Sequence, residues 1–105
     1  MAGKTRKQMI EEMLAEQPDD TELRYALAME YVSAHDDAGA VRCFQELCAA
    51  QPDYVPTYFH LAQALVRLDR VGEARLVVER GIAAARNKGD LHAAGELEGL
   101  LYTLE

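Results

Sequence analysis

Apolar residues recur along the chain at intervals of three and four. Leu23, Leu27, Tyr31 and Ala34 keep this spacing, and so do Val41, Phe44, Leu47 and Cys48. Each set predicts one helix with an apolar stripe. Residues 4–17 predict an earlier helix with Ile10, Met13 and Leu14 as its stripe. Residues 90–104 predict a last one, in which Leu97, Leu100, Leu101 and Leu104 follow i, i+3, i+4 and i+7. Polar residues punctuate the pattern. Asp20 or Thr21 is placed to cap one helix and Asp37 the next, because a short side-chain oxygen can accept from the free N–H groups of a first turn. Pro18 and Pro52 end the helices before them. Pro56 falls in a first turn, where its missing N–H costs nothing. His35-Asp36 and Asp69-Arg70 mark the remaining turns, since His and Asp are among the few non-glycine residues that tolerate left-handed backbone.

The pattern repeats. Gln17-Pro18-Asp19 returns as Gln51-Pro52-Asp53, 34 residues later. When residues 21–54 are laid over residues 55–88, Leu27-Ala28 meets Leu61-Ala62, Tyr31 meets Leu65, and Val32 meets Val66. Ala40 meets Ala74, Phe44 meets Val78, and Ala49-Ala50 meets Ala83-Ala84. Apolar stands on apolar and small on small, as a chain built from stacked supersecondary units requires.

These positions resemble the tetratricopeptide repeat, whose signature runs W-x2-L-G-x2-Y, then A-x3-F, then P over 34 residues. The first copy offers Arg24, Leu27, Ala28, Tyr31, Ala40, Phe44 and Pro52. The second offers Tyr58, Leu61, Ala62, Leu65, Ala74 and Val78, with Arg86 in place of the proline. The departures are the missing aromatic at Arg24, alanine for glycine at Ala28 and Ala62, and the lost second proline. The expected fold is all-α: one domain over residues 1–105, an α-solenoid of antiparallel helix pairs with about six helices. It comprises an N-terminal helix (4–17), two repeats (21–54 and 55–88) and a capping helix (90–104). Helices at both ends favour a complete unit, because array ends need covers. Close packing of the last helix on its neighbour would explain Gly95 and Gly99; a loosely held end is the other explanation.

The resemblance implies that the first helix of each pair lines a concave groove. That lining would be Glu22, Tyr25, Met29, Val32 and Ser33, then Phe59, Gln63, Val66 and Arg67, then Ala93, Leu97 and Leu100. It is mostly apolar, with Tyr25 and Phe59 as an aromatic pair, and suits an apolar or basic-apolar segment of a protein or peptide partner. The same stripe could instead be filled by a second copy or by the final helix. Family members that bind the acidic tails of cytosolic chaperones share a carboxylate clamp of lysine, asparagine and arginine. The matching positions here are Tyr25, Met29, His60, Asp90 and Ala94, so the clamp is absent and Asp90 would repel such a tail.

Composition narrows the function further. The chain has 105 residues and a net charge of −7. Residues 1–17 sum to zero, residues 18–51 carry −5, residues 52–85 balance, and residues 86–105 carry −2. No basic stripe is available to displace counterions from nucleic acid. The acidity reads as solvated helix faces or as steering of a basic partner. No apolar run is long enough to span a membrane, and no signal core follows the basic start, so the cytoplasm is the expected compartment. Cys43 and Cys48 are five apart on one helix, point to different sides, and read as small hydrophobes. Gly3-Lys4-Thr5 lacks the preceding glycine and strand of a phosphate loop. His35, His60 and His92 have no ligand-spaced partner, and no acid, base and nucleophile converge. The expectation is therefore a non-catalytic interaction module, a scaffold or adaptor without cofactor or metal. The alternative is a homo-oligomeric building block that uses the groove for self-association.

Overall fold

The computed structural model describes residues 3–104, which form six α-helices and no strand. They are α1 (Arg6–Glu16), α2 (Thr21–Ser33), α3 (Asp37–Ala50), α4 (Pro56–Arg67), α5 (Val71–Lys88) and α6 (Leu91–Thr103). Each helix packs chiefly on the next in sequence. The outcome is an elongated stack of 49 × 29 × 20 Å.

Local chemistry sets the helix ends. Thr5 and Gln8 form a reciprocal capping box at α1, each side chain bonding the other's backbone N–H. Asp20 caps α2 by accepting from the Leu23 N–H at 2.9 Å. The cap of α3 is Asp36 rather than the expected Asp37: Asp36 Oδ1 accepts from Gly39 at 2.9 Å, and Asp37 opens the helix. The turn is one residue tighter than the polar run alone indicated. His35 and Asp69 both have φ 60, the left-handed conformation that reverses the chain within each pair. Gly89 ends α5 at φ 76.

The core runs the length of the stack. Phe44, Leu47, Leu65 and Val78 are fully buried, and Ala28, Ala40, Ala62 and Ala74 lie between them, equally closed to solvent. Small residues at these positions let the helices of each pair approach closely. Gly81 sits where three helices approach one another. A Cβ there would lie 2.6 Å from the Cβ of Tyr58 and 3.1 Å from a methyl of Leu97, so α4, α5 and α6 meet at this point. Gly39 is similarly pressed by the ring of Tyr31.

Two sequence expectations are corrected. Of the α1 stripe, Ile10 is buried but Met13 is 45 % exposed, because α1 has only one neighbouring helix to cover it. Gly95 and Gly99 have nothing within 4 Å of where a Cβ would stand, so close packing does not account for them. They occupy the outer side of α6, at the positions where α4 buries Leu61 and Leu65.

Candidate functional site

A cleft of about 410 Å³ opens between the N-terminal halves of α4 and α6. Val55, Pro56, Phe59 and His60 form one wall. Asp90, His92, Ala93 and Glu96 form the other, with Leu97 at the base. Pro56 starts α4 and thereby fixes where Phe59 and His60 stand, one turn in. Asp90 is the N-cap of α6, and its Oδ1 accepts from the Ala93 N–H at 3.0 Å. That bond fixes the carboxylate at the mouth and leaves its second oxygen free.

An aromatic cluster continues the wall towards α2. The Tyr25 ring lies 6.1 Å from Phe44, 5.6 Å from Tyr54 and 5.8 Å from His60. His60 in turn stacks on Phe44 at 6.2 Å and meets Phe59 edge-on at 5.9 Å. Offset and edge-on geometries satisfy the ring quadrupoles, so the cluster is held without a hydrogen bond between its rings. Burial lowers the pKa of His60, and the Arg67 charge acts in the same direction. Tyr25 is shifted upward by burial and by neighbouring Tyr54. Both effects favour the uncharged form, so this wall is neutral and apolar while the opposite rim is acidic.

The structure brings only part of the expected lining together. Phe59, Ala93 and Leu97 share the cleft, and Tyr25 joins through His60. Leu97 is 1 % exposed and belongs to the core as much as to the cleft floor. Met29 and Val32 are half-buried against the core along α2, and Gln63 is half-buried on α4. Val66 and Arg67 are exposed two turns beyond Phe59, and Arg67 Nε donates to Asp37 Oδ1 at 2.8 Å. No sequence motif marks Tyr54, Val55 or Glu96 for the cleft and its aromatic wall. Asp90 and His60 stand in the sequence as mismatches to a clamp, and His60 and His92 as histidines without a ligand-spaced partner. Their signal was position: each lies beside a helix start or within its first two turns, where side chains from successive pairs converge.

Away from the cleft, Cys43 and Cys48 are free and half-buried. Burial pushes the Cys48 thiol up to about 11, which makes it a poor nucleophile. No cluster of three metal-ligating side chains occurs among the described residues, and none of the helices is long and apolar enough to cross a membrane.

No family model matches the chain. A TPR repeat-containing protein of Pseudomonas aeruginosa is 30% identical to it over 96 residues, covering 91% of each chain. The solution structure of a tetratricopeptide repeat domain protein from Salinibacter ruber superposes with a TM-score of 0.80 at 38% identity, over 84% of this chain and 89% of that one. A solution structure of a protein from Bordetella parapertussis gives a TM-score of 0.84 at 26% identity, over 97% of this chain and 89% of that one. With the 34-residue period, the paired helices and a relative matched along nearly its whole length, the chain belongs to the tetratricopeptide repeat family.

Proposed function

We propose that the chain is a non-catalytic protein-interaction module of the cytoplasm that holds a short basic-apolar segment of a partner along its concave side. The observation that carries this reading is the cleft between α4 and α6, apolar at the base and acidic at the rim. A bulky apolar side chain would enter beside Phe59 and Leu97, displacing water from apolar surface. A neighbouring Lys or Arg would reach the second oxygen of Asp90 and Oε2 of Glu96, whose Oε1 lies 3.2 Å from His92 Nε2. The groove residues Tyr25, Met29, Val32, Gln63, Val66 and Arg67 would extend the contact along α2 and α4. An acidic tail is disfavoured by the same rim. The free, unpaired cysteines agree with a reducing compartment.

The test is a panel of peptides that vary one apolar residue and the charge beside it, read by fluorescence anisotropy. Peptides pairing a large apolar residue with Lys or Arg should bind. Phe59→Ala and Asp90→Lys should each weaken binding about tenfold or more, the loss of roughly 1.4 kcal/mol, while each variant keeps its helical circular dichroism. Preference for acidic peptides, or indifference to both changes, would remove the proposal.

A further inference from the structure

The two ends of the stack are unlike in a complementary way. In the 34-residue register, α1 stands where α3 and α5 stand, as the second helix of a pair. In turn α6 stands where α2 and α4 stand, as the first. Among the described residues no helix precedes α1 and none follows α6. Within residues 3–104, α1 and α6 therefore each present half a pair, with the partner-facing side uncovered.

Exposure follows this reading position by position. α6 packs on α5 as α4 packs on α3, and α4 is additionally covered by α5. Thr57 of α4 is 0% exposed, and its equivalent Leu91 is 76% exposed. Leu68 is half-buried, and its equivalent Tyr102 is 83% exposed. At the other end, Leu47 of α3 is fully buried, whereas its equivalent Met13 in α1 is open, as is Met9 beside it. Large apolar side chains thus remain at both open faces where single helices would otherwise favour polar ones.

The charges match as well. The inner pairs place buried alanines at four corresponding positions, Ala28 and Ala62 on the first helices, Ala40 and Ala74 on the second. The equivalents at the open ends are Glu96 on α6, whose Oε1 lies 3.2 Å from His92 Nε2, and Arg6 on α1, whose Nε lies 3.2 Å from Glu30 Oε2. The Glu96 and Arg6 side chains are both more than half exposed, and such surface pairs exchange at little cost. Opposite charges stand where a shared sign would have kept the two ends apart.

We propose that the chain associates head to tail, α6 of one copy pairing with α1 of the next to complete a third helix pair across the junction. Met9 and Met13 pack against Leu91 and Tyr102, with Gly95 and Gly99 leaving room for the methionines. The Glu96–Arg6 pair sits beside them and spaces the helices more widely than the alanines do within the chain. Because the contact joins two different surfaces, a dimer leaves one end of each kind unused, and the solenoid's superhelical twist carried across the junction continues assembly into open oligomers rather than a flat ring. Phe59, His60 and Asp90 of the concave cleft take no part in the junction, but Glu96 borders both. Met13→Glu and Leu91→Glu, which lie outside the cleft lining, therefore separate this inference from the peptide-binding proposal.

The experiment is sedimentation velocity on the 105-residue chain across a dilution series. Average mass should climb steadily with concentration, without a plateau at the dimer, and should fall as salt is added. Met13→Glu and Leu91→Glu each block one end and change an exposed side chain, so both should retain native circular dichroism and sediment as monomers. Mixed in equal amounts, they should give a species of twice the monomer mass and nothing larger, since one intact end of each kind remains. Three results would overturn the proposal: a wild-type chain that is monomeric at every concentration, a dimer abolished by Leu91→Glu but untouched by Met13→Glu, or a mixture no heavier than its components.

Discussion

Among the described residues Thr57 is the one buried polar side chain, and its hydroxyl has no hydrogen-bond partner there. An orphaned hydroxyl loses its water without compensation, at a cost of about 1–3 kcal/mol. Thr57→Val keeps the shape and removes the orphan, so it should stabilise the fold by about 1 kcal/mol, read as a rise in urea midpoint at unchanged m-value. His60 offers a second residue-level test. Burial lowers its pKa from the ordinary 6.5, so the unfolded chain takes up this proton first as the solution is acidified. Its contribution to stability is fully present above about pH 6.5 and is lost as pH falls through the lower folded value. Urea midpoints for the parent protein should decline between pH 7 and pH 5, and His60→Gln should flatten part of that slope. A parallel decline in both proteins would mean that other groups carry it.

At the scale of the element, the glycines divide cleanly. Gly81→Ala would drive a Cβ into Tyr58 and Leu97 where three helices meet, and overpacking of this kind costs about 1–3 kcal/mol. Gly95→Ala and Gly99→Ala meet open space in the middle of α6 and should each stabilise by about 0.5–1 kcal/mol through helix propensity. Thermal melts of the three variants should therefore shift in opposite directions. Periodicity revealed the six helices and the left-handed turns at His35 and Asp69 because those depend on local spacing and backbone sterics. It misplaced the α3 cap by one residue, since Asp36 and Asp37 are chemically alike and only the turn geometry chooses between them. Phe59 and Leu97, which both border the cleft between α4 and α6, could be expected in a groove lining from what the resemblance implies. The acidic rim could not, because Asp90 and Glu96 reach the cleft only through the angle between α4 and α6, which phase within one helix does not specify.

The whole molecule behaves as a line of neighbours rather than a ball. Its radius of gyration is 14.3 Å, above the roughly 13 Å typical of a compact domain of about 100 residues. Contacts run from each helix to the next, so little of the core joins residues distant in sequence. Such topology favours quick folding, because few long loops must close before contacts form.

The turns at Pro18 and Pro52 lie one period apart, and the same Gln-Pro-Asp precedes α2 and nearly precedes α4. A segment of 34 residues copied in tandem between them would give every inner helix the same kind of neighbour that it has now. The cleft would then lengthen by one helix width without any existing contact being redesigned. The concave side can thus be lengthened one repeat at a time, and Gln-Pro-Asp at both turns marks where such a unit begins and ends.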